Sequence, residues 1–449
     1  MKRYRQWIIL ILLVVYSITG TAVCQAMPEE DLNEAYAIYL AASACVATYS
    51  DRPGQLAVQY LTQQGWEIQP YEQTSLNADA RFLLIKNIGA NNFGASYIVA
   101  FTGTETLKDV KTDVRAGRVY FAGQTVEEFA ENAAKKKVPA SEPKIHRGFH
   151  EYVQAALTAK TTTAEPQFLT DWLLADPSRK VYLTGHSLGG AVATVSAARL
   201  ISMGVKPEQI KVITFGAPAV GNDAFSRKFE PVLDLTRVVI SGDVITGVLQ
   251  SLAGGYAQFG HEIKWSSPDW ANKGPHGITE YMDLAMKNYY DKRQSQAGTI
   301  SLPRSEASSA LKKAYIAPVK YSLPDKFEKE QWYMQQALTD EYERVLPGCL
   351  PPGQRSEQSA WAQAVAAGSR WLIFPEVSAY QLPKEQGVYY LTLSEKIVDL
   401  ATGDVVRLAA FSANTHNLTP LEALLHSARS MSDDREQWFA GQQEDGNQP

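Results

Sequence analysis

The stretch Val181-Tyr-Leu-Thr-Gly-His-Ser-Leu-Gly-Gly190 decides the reading of this chain. Val181 to Thr184 is a short apolar run closed by a glycine, which predicts a buried strand. Leu188 to Ile201 is a run of small and apolar residues, which predicts a helix. Gly190, Ala191, Ala193 and Ala197 would let that helix lie close to a sheet. Between strand and helix sits Gly185-His186-Ser187-Leu188-Gly189, a Gly-x-Ser-x-Gly. On a tight strand-to-helix turn the serine hydroxyl projects, while backbone N–H groups gather at the helix start. A side chain at Gly185 or Gly189 would collide with the neighbouring strand or helix. Ser187 is therefore the candidate nucleophile, and the Leu188 N–H a candidate oxyanion donor.

A serine nucleophile needs a base, and the base needs a carboxylate that fixes its tautomer. On an α/β-hydrolase sheet these follow the serine in the order acid, then histidine. Four histidines follow Ser187: His261, His276, His416 and His426. His276 lies in a Pro-His-Gly loop just before a helix, where it can reach across a sheet end, and is favoured as base. His261 stands at the mouth of a strand, where packing accounts for it. Asp243 follows Arg-Val-Val-Ile-Ser-Gly at the C-terminal end of a strand, where α/β sites lie, and is favoured as acid. Asp223 can simply cap a helix, and Asp234 and Asp269 lie in polar connections. Phe101-Thr-Gly-Thr104 ends an earlier strand, so the Thr104 N–H is the second candidate oxyanion donor. This chemistry needs no cofactor and no metal.

Outward from the elbow, Glu29–Ser50 and Gln55–Gln64 read as helices, and Trp66–Tyr71, Arg81–Ile88 and Ser96–Phe101 as strands. The last two flank Asn91-Asn92-Phe93-Gly94, the signature of an antiparallel hairpin. Val126–Lys135, Gly148–Ala159 and Phe168–Ala175 read as helices. Lys211–Phe215, Arg237–Ile240 and the edge strand Glu262–Trp265 follow, with a helix at Ile278–Tyr290. This order predicts an α/β fold with a mostly parallel central sheet, occupying residues 27–293. Residues 294–311 read as a linker. Residues 312–431 read as a separate small α+β unit of unassigned role, with helices at Lys326–Arg344, Ser359–Ala367 and Pro420–Ser430. Its strands are expected at Trp371–Phe374, Gly387–Leu393 and Val405–Phe411, and residues 432–449 read as a disordered polar tail.

Composition excludes some classes. With a net charge of −5 and no basic stripe, the chain carries no nucleic-acid footprint. Lys2, Arg3 and Arg5, the apolar run Trp7–Ile18 and the small residues of Cys24-Gln25-Ala26 read as a signal peptide over 1–26, cleaved before Met27. A lipid anchor at Cys24 is the rival, disfavoured by the bulk of Val23. Export would permit a disulfide between Cys45 and Cys349; two separate buried thiols account for them equally well.

Taken together, five blocks resemble the class 3 lipases, the fungal triacylglycerol lipase-like branch of α/β-hydrolases. Phe101-Thr-Gly-Thr with Asp109 and Asp113 is similar to the family's oxyanion block, and His146-Arg-Gly-Phe149 to its His-x-Gly-Phe. The elbow, Thr214-Phe-Gly-Ala-Pro-Ala-Val-Gly-Asn222, and the region holding Asp243, Gly260-His261 and His276 complete the set. The resemblance covers about Glu29 to Tyr290. It implies ester hydrolysis with Ser187, Asp243 and His276 as triad, Thr104 as first oxyanion residue, and a lipid or other acyl-ester substrate met at a lipid surface. It also implies a lid, for which Glu105–Lys111 and Val244–Phe259 are candidates. Thr102, Ala219 and Val244 depart from the pattern, so any buried arginine–carboxylate support of relatives is absent or rebuilt here. A phospholipase or acyltransferase would use the same triad, and an inactive lipase-like binding protein is a third reading.

Overall fold

The computed structural model describes residues 28–74, 79–88, 97–103, 117–156, 169–252, 254–267, 274–295, 314–346, 349 and 357–444. The expected signal peptide, Thr104, the lid candidate Glu105–Lys111, the hairpin tip, Asp269 and most of the expected linker lie outside them. The chain opens with α1 (Pro28–Ala47) and α2 (Arg52–Gln63), then β1 (Trp66–Thr74), β2 (Asp79–Asn87) and β3 (Tyr97–Phe101). Next come β4 (Arg118–Tyr120), α3 (Val126–Ala133), β5 (Lys144–His146), α4 (Arg147–Ala156) and α5 (Leu169–Ala175). The elbow region is β6 (Val181–His186) and α6 (Leu188–Ser202), followed by β7 (Ile210–Phe215), α7 (Asp223–Phe229) and β8 (Asp234–Ile240). The first part closes with α8 (Val248–Leu252), β9 (His261–Trp265) and α9 (Ile278–Ser295).

Seven strands form one sheet in the order β1-β2-β3-β6-β7-β8-β9. β1, β2 and β3 pair antiparallel, the β2–β3 pair as the hairpin signal predicts, and β3, β6, β7, β8 and β9 pair parallel, while β4 and β5 form a separate antiparallel pair. The fold is that of an α/β-hydrolase. Val181, Leu183 and Val212 turn to the face covered by α4 and α6, whereas Ile213, Phe215 and Ile240 turn to the face covered by α1 and α9. The inner parallel strands β3, β6, β7 and β8 are covered on both faces and are accordingly rich in apolar residues, whereas the edge strand β9 stays largely exposed.

Beyond α9 the chain adds β10 (Ala314–Ile316), β11 (Lys320–Ser322), α10 (Gln331–Val345), α11 (Glu357–Ala366), β12 (Trp371–Tyr380), β13 (Tyr390–Asp399), β14 (Val405–Asn414), α12 (Pro420–Ser430) and α13 (Ser432–Glu444). The expected helices are present. The strands are longer than expected, and β10 and β11, which lie parallel to β12, were not legible.

Two expectations are corrected. Residues 312–431 are not a separate unit. Ala37, Ile38 and Leu40 of α1 share one continuous core with Phe215 and Ile240 of the first sheet, with Met334, Leu338, Leu421 and Leu424 of α10 and α12, and with Leu393 and Ile397 of the second sheet. α1 is buried on both sides, between the sheet and the C-terminal helices, which explains its apolar surroundings on every face. The second correction concerns the tail. Residues 432–444 are helical. Trp438 and Phe439 lie against Trp371, with ring centroids 5.2 and 6.5 Å away, and Arg435 is wholly buried against Glu395. A few anchoring side chains in an otherwise polar run suffice to dock it. Cys45 and Cys349 are free, buried thiols, so the disulfide alternative falls away.

Candidate active site

The elbow is built by close backbone approach. Ser187 holds φ +56° and ψ −125°, and is the one non-glycine residue with positive φ among those described. Such a conformation costs about 1–3 kcal/mol and persists only where the surroundings enforce it. Here the Ser187 N–H donates to the Phe215 carbonyl at 2.9 Å, and the Ser187 carbonyl accepts from Gly190 and Ala191. A Cβ on Gly185 would strike the backbone of Gly189, and one on Gly189 would strike the Phe101 carbonyl. The glycines are thus what allows α6 to start against the ends of β3 and β6. Leu188 is the first residue of α6, directly after Ser187, so its N–H has no acceptor within the helix.

Ser187, His276 and Asp243 come together from three segments. His276 Nε2 is 2.9 Å from Ser187 Oγ, and His276 Nδ1 is 2.9 Å from both carboxylate oxygens of Asp243. Asp243 lies just past the end of β8, its side chain wholly buried. Its Oδ1 accepts from the Ile245 N–H at 3.0 Å and its Oδ2 from the Tyr281 hydroxyl at 2.7 Å. Tyr281 in turn accepts from the Ile240 N–H at 3.0 Å. Burial and the neighbouring carboxylate push the Tyr281 hydroxyl well above its ordinary range, so it stays a donor to Asp243. Of the other acidic candidates, the two among the described residues lie elsewhere. Asp223 opens α7 and pairs with Arg227, and Asp234 opens β8 and lies 3.5 Å from Lys211. His261 is exposed at the start of β9, and His416 and His426 lie in the C-terminal part.

The pattern did not single out His186, Tyr49 or Tyr281. His186 precedes the nucleophile and is buried. Its Nε2 is 2.9 Å from the carbonyl of His276, and its Nδ1 is 2.9 Å from the Tyr49 hydroxyl. Burial, and then the neighbouring His276, hold its imidazole well below the ordinary histidine range, so it is neutral. A carbonyl can only accept, so Nε2 carries the proton and Nδ1 accepts from Tyr49. The loop bearing the candidate base is therefore pinned to the elbow from one side and, through Tyr281, to the acid from the other. Gly216 lets these groups converge: with φ +57°, a Cβ there would stand 2.6 Å from Asp243 Oδ2.

Of the positions that depart from the family pattern, Thr102 is held by uncharged hydrogen bonds. Thr102 is buried, its carbonyl accepts from the Tyr152 hydroxyl at 3.3 Å, and its N–H donates to the Arg81 carbonyl at 3.0 Å. The lid candidate Val244–Phe259 is tied down. Leu249 is wholly buried in the core, Gln258 donates to the carbonyls of Ala217 and Thr246, and Ser226 donates to the carbonyl of Ala257.

Residues 98–251 match the family model described as lipase (class 3). That match covers about a third of the chain and includes the elbow and Asp243. Among known relatives, the chain is 52% identical over 67 residues to a lipase of Caenorhabditis elegans, spanning 14% of this chain and 19% of that protein. It is 34% identical over 135 residues to a secreted mono- and diacylglycerol lipase of Fusarium solani, spanning 29% of this chain and 35% of that protein. A phospholipase A1 of Oryza sativa subsp. japonica is 28% identical over 162 residues, spanning 33% of this chain and 40% of that protein. The matches thus span between about a fifth and two fifths of these relatives' length. Among solved structures, a lipase from Rhizopus microsporus var. chinensis aligns over 52% of this chain and 74% of its own, at 23% identity and a TM-score of 0.38.

Proposed function

We propose that the protein is an exported serine ester hydrolase that cleaves acyl esters, lipids foremost, through an acyl-enzyme on Ser187. One observation carries this reading: the unbroken hydrogen-bonded line from Ser187 Oγ through His276 to Asp243. Ser187 Oγ attacks the acyl carbonyl carbon while His276 Nε2 takes its proton. Asp243 holds the Nδ1–H and stabilises the imidazolium. The charge that develops on the carbonyl oxygen is met by the Leu188 N–H and, as the sequence leads us to expect, by Thr104. His276 then protonates the departing alkoxide, and water, deprotonated by His276, releases the acid and restores Ser187.

An inactive scaffold has no use for a strained serine at hydrogen-bond distance from a braced histidine. A phospholipase reading has its own support, since the relatives of this domain bear the names of both lipases and phospholipases A1. The basic and apolar residues of 1–26 support export, which N-terminal sequencing of protein recovered outside the cytoplasm checks: it should begin at Met27. The acyl-enzyme is tested by intact mass measurement after rapid quenching with a p-nitrophenyl ester. The expected result is one acyl group, on the peptide containing Ser187. Product analysis on triacylglycerol and phosphatidylcholine vesicles, with and without an alcohol acceptor, then sorts lipase, phospholipase and acyltransferase. Turnover with no label on Ser187 overturns the mechanism.

A further inference from the structure

α9 joins the C-terminal part of the chain to the site. It begins two residues after His276, and its first turn is continuous with the turn that carries the base: Glu280 and Tyr281 donate to the Gly277 carbonyl at 3.0 and 3.2 Å. On the side towards the site, Tyr281 grips Asp243 and the Ile240 N–H. On the other side, the wholly buried Asp283 accepts from the Thr419 hydroxyl at 2.8 Å and lies 2.7 Å from Lys287 Nζ. Lys287 also reaches Glu330 at 2.7 Å. Further along, Asp291 accepts from the Tyr333 hydroxyl at 3.1 Å, and Arg293 donates to both oxygens of Asp340 at 2.9 Å. Burial pulls the Lys287 ammonium down, but Asp283 and Glu330 outweigh it and hold its proton more tightly than usual.

A buried ion cluster is no more stabilising than apolar packing of the same volume. What it adds is register, because each bond has a length and a direction. A helix held only by Tyr290, Met286 and Ala285 in the shared core could slide by a fraction of a turn at little cost. A slide of about 1 Å would displace His276 and Tyr281 together, and misplacements of that size cost up to about 100-fold in rate. We propose that the C-terminal part is a positioning element of the hydrolytic site, in which Thr419 and Glu330 lock α9, through Asp283 and Lys287, in the register that places His276 against Ser187. This rests on the triad reading above.

The test uses the full chain. Thr419→Ala removes the hydroxyl, and Thr419→Ser restores it. Glu422→Ala is the control: it disturbs the same helix start, where Glu422 accepts from the Thr419 N–H, while leaving in place the Thr419 hydroxyl that bonds Asp283. Rates are divided by the number of serines that react with an organophosphonate, so loss of folded protein does not register. The expected result is a per-site kcat about five- to twenty-fold lower for Thr419→Ala, with KM within about twofold, recovery in Thr419→Ser and no change in Glu422→Ala. Wild-type kcat per reactive serine in Thr419→Ala overturns the proposal. A second measurement needs no variant, because a ligand that orders the site should also tighten the contacts that fix the register of α9. Phosphonylation of Ser187 should slow amide exchange across 415–425 in the wild type, and unchanged exchange overturns the proposal. If the wild type hydrolyses no ester, or Ser187→Ala keeps the activity, the triad reading itself has failed; if only the Thr419 results fail, that reading stands.

Discussion

Tyr49→Phe deletes one hydroxyl at some distance from the nucleophile, and its consequences can be worked through from the bonds it breaks. His186 Nδ1 loses its donor at 2.9 Å and is left as a buried, unpaired acceptor, which costs about 1–3 kcal/mol of stability. The His276 carbonyl still keeps the proton on Nε2, but the ring has lost one of the two bonds that orient it, so the 2.9 Å bond to that carbonyl weakens. About 0.5–1.5 kcal/mol of positioning should disappear from the transition state, which is roughly a two- to ten-fold fall in kcat. KM should stay within a factor of about two, since no group that binds the acyl chain has changed. His186→Phe breaks both bonds and should cost more on both counts. Because Tyr49 acts through His186, the double variant should lose about 1 kcal/mol less than the sum of the single losses. The assays are urea denaturation and ester hydrolysis on Tyr49→Phe, His186→Phe and the double variant. Strict additivity, or an unchanged kcat in Tyr49→Phe, refutes the reasoning.

Burial and the adjacent Arg199 push the His150 imidazole down to about 3, so the unfolded chain binds a proton below pH 6.5 that the folded one refuses. Stability should therefore fall by about 1.4 kcal/mol per pH unit from this group as pH drops from 6.5 towards 3, with His186 adding a loss of the same sign. His150→Gln, which keeps an acceptor for Arg199, should remove its share of the slope; denaturation midpoints at pH 5, 6 and 7 check this. Arg435→Met leaves Glu395 short of its buried partner and should cost about 3–5 kcal/mol in thermal or urea unfolding, whereas a merely attached tail would cost nothing measurable. Ser187 is wholly buried and the His276 side chain only 18% exposed, so substrate must displace whatever covers them. The rate should jump as a short-chain triacylglycerol passes its solubility limit, and a smooth saturation curve would count against that.

What was legible in the sequence followed physical necessity. The elbow glycines announce a place where two backbones nearly touch, and a serine among them has few other uses. Asp243 could be chosen because it follows Arg-Val-Val-Ile-Ser-Gly at the C-terminal end of a strand, and His276 because it lies in a Pro-His-Gly loop just before a helix. His186, Tyr49 and Tyr281 were not legible, because their roles depend on which way a helix faces once packed. Tyr49 lies at the end of α1, and nothing local aims it at a histidine 137 positions away. Tyr281 sits inside a helix pattern, where a tyrosine usually means packing. The unity of the two halves was hidden for a related reason. A composition shift near Gln294 marks a connection, but whether the parts it connects share a core depends on α1 being apolar on both sides. The ordering of 432–444 turns on three side chains, Arg435, Trp438 and Phe439, scattered in a polar run.

The central claim is that Ser187, activated by His276, is the nucleophile. The most direct measurement compares the chain from Met27 to Pro449 with its Ser187→Ala twin on p-nitrophenyl esters of increasing chain length, each shown to be folded by its unfolding transition. The wild type should hydrolyse them, and the twin should lose roughly 10⁴-fold or more of kcat/KM with its stability retained or raised, since removing one hydroxyl leaves the elbow backbone and its glycines in place. A folded twin with comparable activity would contradict the account.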